Sequence, residues 1–124
     1  MNVKIDTKEK FVVITPTESK LSVIMTAELA EMLLTYIQKD IPHIVLNLQN
    51  VSAIDEESGK ILSVVQHKFY EANCSCVICG LQKPVEDKLD QQEILELLNV
   101  TPSESEAWDI VQMEEIEREL LGGE

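Results

Sequence analysis

Three consecutive carboxylates, Asp55, Glu56 and Glu57, are the strongest candidates for chemistry in this sequence. They lie in the stretch NVSAIDEESGKIL (50–62), where an apolar, strand-like run ends and an amphipathic run begins. Such a cluster has three interpretations: an acid–base or metal site, an acidic cap on a helix, or a fixed carboxylate where a phosphate would otherwise be attached. The three residue types alone leave these interpretations open.

The catalytic interpretation has the least support. A general acid needs a carboxyl group whose pKa is raised by burial, together with a converging partner, and adjacent exposed acids at a helix start have neither. A hard-metal site needs more oxygen ligands than this stretch supplies. The sequence also contains no phosphate-binding glycine loop and no Ser/His/Asp order. We therefore expect no enzymatic activity and no cofactor.

Helix capping accounts for all three charges without chemistry. An aspartate at the end of a strand can accept a hydrogen bond from the backbone N–H of residue 57 or 58. Glu56 and Glu57 would then gain a few tenths of a kcal/mol each from the positive end of the helix dipole. On this interpretation Asp55 caps the helix that follows it.

Three cysteines, Cys74, Cys76 and Cys79, are the other group able to do chemistry. Their C-x-C-x-x-C spacing is compatible with metal binding, but a structural zinc site usually has four ligands from two separated clusters. His43 and His67 stand alone in the sequence. The cysteines fall in CSCVICG (74–80), which is typical of a buried strand, so we expect reduced thiols in or near the core and no metal site.

Composition restricts the class of partner. The 124 residues fit one domain with an aliphatic core, and 23 acidic against 10 basic residues give a net charge of −13. Nucleic acids and anionic membranes attract basic surfaces, so proteins are the expected partners. No apolar run approaches the ~20 residues of a membrane span, and the charged N-terminus lacks a signal sequence, which predicts a cytoplasmic protein.

The elements that must position these groups alternate along the chain. Strands are expected around residues 3–5, 11–15, 43–48 and 74–80, with a short strand in the segment 16–24. Helices are expected from Thr26 as N-cap, from Glu56 or Glu57 to about residue 72, from Pro84, and from Ser103 as cap. This order predicts a single α/β domain: a small mixed, mainly parallel sheet with helices packed on one face.

The stretch HIVLNLQNVSAIDEESGKIL (43–62) resembles the STAS domain, in particular the bacterial anti-sigma-factor antagonists. In that family a central parallel strand leads through an apolar pair and an aspartate into a helix, and a serine directly after the aspartate is the phosphorylation switch. The resemblance continues through Val77-Ile78-Cys79-Gly80 to about Val111. Glu56 occupies the phosphoacceptor position here, Glu57 occupies the next serine position, and the first hydroxyl comes at Ser58, an alternative phosphosite.

The resemblance implies a protein-binding regulator that cannot be switched by phosphorylation at the usual site. Its expected partner is an anti-sigma factor with a serine-kinase-like ATPase domain. The alternative is a STAS-type sensor that binds a small molecule or lipid beneath the loop 16–25. The surface expected to contact a protein partner comprises the start of the second helix and neighbouring loops such as 16–25. Its residues around the helix start are Asp55, Glu56, Glu57, Ser58, Gly59, Ile61 and Leu62.

The last helix is predicted to extend over about residues 103–121 of the single domain 1–124. Ile116, Leu120 and Leu121 form an apolar edge on it, with Trp108 upstream. This edge either packs on its own domain or docks a partner or a second copy of the chain.

Overall fold

The computed structural model describes residues 1–122 of the 124-residue chain, so Gly123, predicted near the end of the last helix, lies outside the described residues. Seven strands, four helices and two 3₁₀ turns alternate along these residues. Their bounds are β1 Val3–Thr7, β2 Val12–Pro16, β3 Lys20–Leu21, α1 Val23–Thr35, a 3₁₀ turn Tyr36–Gln38, β4 Ile44–Asn47, β5 Ala53–Ile54, α2 Ser58–Glu71, β6 Cys76–Cys79, α3 Lys83–Gln91, a 3₁₀ turn Leu95–Leu97, β7 Val100–Thr101 and α4 Glu104–Gly122.

Five strands form the main sheet in the order β1-β2-β4-β6-β7. β1 and β2 pair antiparallel, whereas β2–β4, β4–β6 and β6–β7 are parallel. The predicted α/β class with a mixed, mainly parallel sheet is therefore confirmed. The short strands β3 and β5 pair parallel to each other in a separate two-stranded sheet.

Both faces of the sheet are covered by helices, so the prediction that the helices pack on one face is wrong. α1, α2 and α3 cover the face that carries Ile14, Leu46 and Ile78. α4 covers the other face, where its residues Ala107 and Val111 pack against one valine from each of β2, β4 and β6: Val13, Val45 and Val77. Successive side chains of a strand point to opposite faces, which is why β2, β4 and β6 are apolar at nearly every position.

Capping residues define several of these boundaries. Ser22, not Thr26, is the N-cap of α1, because the Ser22 hydroxyl accepts a hydrogen bond from the N–H of Met25 at 3.1 Å. Thr26 lies one turn inside the helix and is fully buried. Ser103 caps α4 as predicted, through a 3.2 Å bond from the N–H of Glu106. Gly80 directly follows β6, and its φ of 74° is a conformation that favours glycine.

Candidate functional site

The candidate site is the acidic turn, residues 55–57, which joins β5 to α2. The pairing of β3 with β5 places this turn beside the start of α1, since Leu21 lies opposite Ile54. The backbone N–H of Asp55 extends the pairing by donating to the Leu21 carbonyl at 3.0 Å. Two segments that are distant in sequence thus meet at one end of the helical layer.

Asp55 caps α1, whereas the sequence predicted that it caps α2. Its Oδ2 accepts a hydrogen bond from the N–H of Val23, the first residue of α1, at 3.1 Å. The other carboxylate oxygen lies 3.5 Å from the Lys20 ammonium. Asp55 contacts the start of α2 through its main chain, since its carbonyl accepts a hydrogen bond from the N–H of Ser58 at 3.1 Å. The Asp55 side chain therefore joins α1 to the turn, and the prediction that it caps α2 is wrong.

Glu56 and Glu57 are exposed and precede α2, which begins at Ser58. Neither is in the first turn of the helix, and the Glu57 side chain forms no capping bond. Glu57 lies 3.4 Å from Lys60 in an exposed ion pair. A hydrogen bond from the end of α3 fixes the backbone of the turn, since Gln92 Nε2 donates to the Glu56 carbonyl at 3.1 Å. A fixed backbone thus presents the two carboxylates to solvent.

Ser58 is fully buried, so its hydroxyl is not accessible to a kinase or to a partner protein in this conformation. Its hydroxyl accepts from Thr26 Oγ1 at 2.8 Å and donates to the Leu21 carbonyl at 3.3 Å. These bonds join α2 to α1 and to β3. A phosphoryl group at this position would have to displace the packing of α1 against α2.

Gly59 and Leu62 are buried as well, so neither side of α2 exposes them to a partner in this conformation. A Cβ atom on Gly59 would lie 2.5 Å from the Leu89 side chain and 3.4 Å from Ile94, so glycine permits α3 to approach α2 closely. Ile61 is half-buried. Of the seven residues predicted to contact a partner, Glu56, Glu57, the partly exposed Asp55 and the edge of Ile61 remain accessible.

Ile24, near the start of α1, is an exposed apolar residue that the sequence pattern did not single out. Its side chain is 74% exposed and directly follows Val23, the residue bonded to Asp55. The signal was present only as part of the loop 16–25, because an apolar residue near a helix start normally suggests burial. The accessible surface beside the acidic turn therefore combines an exposed aliphatic side chain with two carboxylates and the cations Lys20 and Lys60.

The three thiols do not converge on a common point. Cys76 belongs to the core beneath α1–α3, whereas Cys79 faces the opposite side, beneath α4. Burial raises the pKa of Cys76 to about 12 and that of Cys79 to about 11, and it also raises the pKa of Cys74. These groups stay protonated at neutral pH. Residues 1–122 contain no cluster of three or more His, Cys, Asp or Glu side chains able to hold a metal ion.

His43 is a buried titratable group away from the acidic turn, at the start of β4. Its Nδ1 accepts the N–H of Ser75 at 3.1 Å, which leaves Nε2 to donate to Glu115 of α4 at 3.0 Å. Burial lowers the pKa of His43, although the Glu115 carboxylate opposes that change. His43 is thus a structural link between the sheet and α4.

Within the described residues, no helix is both long and apolar enough to cross a membrane.

Comparison with known families assigns this arrangement of strands and helices. The model of the STAS domain matches residues 2–107. The chain belongs to the STAS domain family. No curated protein matches the sequence significantly.

Solved structures share the fold of this STAS domain at low sequence identity. An anti-sigma factor antagonist from Mycobacterium paratuberculosis is 12% identical, with a TM-score of 0.75 over 90% of this chain and 93% of its own. Moorella thermoacetica RsbS carrying a serine-to-glutamate substitution is 16% identical, with a TM-score of 0.70 over 91% and 97%. The Bacillus cell-fate determinant SpoIIAA in its phosphorylated form is 14% identical, with a TM-score of 0.63 over 89% and 99%.

Proposed function

We propose that this STAS domain is a non-catalytic, protein-binding regulator of the anti-sigma-factor-antagonist type in bacterial signalling. The observation that carries the proposal is the exposed Glu56 on a fixed turn between β5 and α2, at the position where the family resemblance implies a phosphorylated serine. Its partner on this proposal is an anti-sigma factor with a serine-kinase-like ATPase domain. The fold supports the proposal, because its structural neighbours include anti-sigma factor antagonists.

Glu56 supplies a permanent charge in place of a reversible one. A phosphoserine carries about −1.5 to −2 charges and three acceptor oxygens at neutral pH, whereas a carboxylate carries −1 and two oxygens. The partner surface on this proposal is adapted to the smaller charge, so binding is constitutive and is not ended by phosphorylation at the turn. Among the structural neighbours, the RsbS variant carries a glutamate in place of a serine, and SpoIIAA is known in a phosphorylated form.

Ser58 does not replace the missing switch on this proposal. A kinase must reach the hydroxyl of its substrate, and the Ser58 hydroxyl is fully buried and bonded to Thr26 and to the Leu21 carbonyl. The proposed contact surface instead comprises Glu56, Glu57, Ile24 and the edge of Ile61. The exposed aliphatic groups supply apolar contact, and the carboxylates orient a partner with a basic rim.

The packing beneath the loop 16–25 does not favour the sensor alternative. It requires an apolar pocket beneath the loop 16–25. The side chains below that loop are closely packed instead, and Leu21, Leu29 and Ile54 are at most 3% exposed. A ligand would have to displace these core residues.

Affinity capture with the full-length chain from the cells that encode it tests the proposal. We expect recovery of a protein with a kinase-like ATPase domain. Removing one rim charge by Glu56→Gln should weaken binding about two- to fivefold, mainly through a slower, salt-dependent association rate. Glu57→Gln is the matched control and should have a smaller effect, because Glu57 is already paired with Lys60.

Two results would contradict the proposal. Capture that never includes a kinase-like ATPase would remove the proposed partner. Tighter binding by the Glu56→Gln variant would show that the carboxylate opposes the complex.

A further inference from the structure

The second half of α4 presents its apolar side to solvent. Met113, Ile116 and Leu120 follow one another at spacings of three and four residues, so they share one face of the helix. Their side chains are 55%, 55% and 76% exposed. The face lies opposite Ala107 and Val111, which pack on the sheet. We call Met113, Ile116 and Leu120 the outer stripe.

Polar contacts fix this orientation of α4. Glu114 accepts a hydrogen bond from Asn99 Nδ2 at 2.9 Å, and Arg118 donates to Ser75 Oγ at 3.1 Å. Between them, Glu115 accepts from His43 at 3.0 Å. Rotating the helix to bury the outer stripe would break all three contacts. The inward face of this half is therefore polar and the outward face apolar, the reverse of an ordinary surface helix.

Charge narrows the choice of what can cover the outer stripe. α4 contains seven acidic residues and one arginine, and the exposed Asp109 and Glu117 lie one helical turn on either side of Met113. Lys8 and Lys10 lie near Ile116, at the other edge of the stripe, together with Glu9 and Glu115. A second copy of the chain would oppose one acidic helix with another, and the whole chain carries a net charge of −13. Like charges in close apposition disfavour such pairing. An anionic membrane surface is disfavoured for the same reason.

We propose that the outer stripe binds a basic amphipathic helix of a partner protein. The apolar face of that helix would cover Met113, Ile116 and Leu120, while its lysines or arginines would face Asp109 and Glu117. This surface lies on the face of the main sheet opposite α1, α2 and the acidic turn. It is therefore a second binding surface, and it stands independently of the role proposed for Glu56.

A synthetic peptide tests the proposal on the full-length chain. The probe is a fluorescent helix of about 18 residues with leucines at i, i+3, i+4 and i+7 and lysines elsewhere, and its control is a scrambled peptide of the same composition. Fluorescence anisotropy should show about tenfold or more tighter binding of the amphipathic peptide. The scrambled peptide measures the general attraction of basic chains to an acidic protein.

Variants locate the binding to the outer stripe. Ile116→Ser combined with Leu120→Ser should weaken binding of the amphipathic peptide about tenfold or more, because two exposed anchors are lost. Val64→Ser combined with Tyr70→Ser removes comparably exposed apolar groups from α2 and should change binding less than about twofold. Asp109→Lys combined with Glu117→Lys should weaken binding through charge alone.

Four outcomes would overturn the proposal. The first is equal binding of the two peptides, and the second is unchanged binding by the Ile116/Leu120 variant. The third is a wild-type dimer, seen by light scattering, that this variant converts to a monomer, since a second copy would then be the occupant. The fourth is binding to phosphatidylcholine vesicles that the same variant abolishes.

Discussion

Replacing Asp55 by alanine should loosen the start of α1, although the two sites are 32 residues apart in sequence. The carboxylate accepts the N–H of Val23 at 3.1 Å, and that N–H is one of the donors at a helix start that has no partner within the helix. Losing such a capping bond costs about 1 kcal/mol. The exposed contact with Lys20 at 3.5 Å adds at most about 0.5–1 kcal/mol.

The expected loss is therefore about 1–2 kcal/mol in the free energy of unfolding, or about 4–8 °C in Tm for a domain of this size. Urea denaturation at constant m-value measures it. Glu56→Ala is the matched control and should change stability by less than about 0.5 kcal/mol, because the side chain is exposed.

Amide hydrogen exchange identifies which helix the carboxylate caps. In the Asp55→Ala variant the Val23 amide should lose protection selectively, while the Ser58 amide, bonded to the Asp55 main-chain carbonyl, keeps it. Loss of protection at residues 57 and 58 with Val23 unchanged would refute the structural assignment and restore the capping of α2.

Three further perturbations test other parts of the structure. Ser58→Asp would bury an unpaired carboxylate beside Thr26 and should cost about 3 kcal/mol or more in denaturant unfolding, so a tolerated substitution would show that the site is accessible. Gly80→Ala should cost about 1–3 kcal/mol, since φ is 74° and a Cβ would lie 2.7 Å from Asn47 Oδ1; a Tm unchanged from wild type would contradict this. Burial lowers the pKa of His43, so protonating its imidazole destabilises the folded state. This contribution to stability is fully present above pH 6.5, the ordinary pKa of histidine, and is lost as the pH falls through the lowered pKa. Relative to His43→Asn, the wild type should therefore lose up to about 1.4 kcal/mol per pH unit on acidification, and parallel stability curves for the two proteins would exclude this role.

The order of elements could be predicted from the sequence because each buried strand is a continuous apolar run. HIVLNL and CSCVICG became β4 and β6, and Ser103 caps α4 as its position suggested. The same apolar runs also indicate that helices cover both faces of the sheet, which the sequence prediction missed. An apolar residue at every strand position requires cover on both faces of the sheet, which is inconsistent with helices on one face only.

The candidate site could be located from the sequence but not resolved into exposed and buried residues. Asp55 and Ser58 are both polar residues at a helix start, and local rules treat both as capping residues. Their actual partners, Val23 for Asp55 and Thr26 for Ser58, lie on α1 and are brought close by the pairing of β3 with β5. Contacts between segments about thirty residues apart are not encoded in local spacing.

Phosphorylation by the captured kinase-like partner tests the fixed charge at Glu56 most directly. The wild type, Glu56→Ser and Glu57→Ser proteins are incubated with that partner and ATP, and intact and peptide mass spectrometry then locates any phosphate. We predict no phosphate on the wild type, one on residue 56 of the Glu56→Ser variant, and none at the turn of the Glu57→Ser variant. Phosphate on Ser58 of the wild type, or uptake by Glu57→Ser alone, would contradict the account.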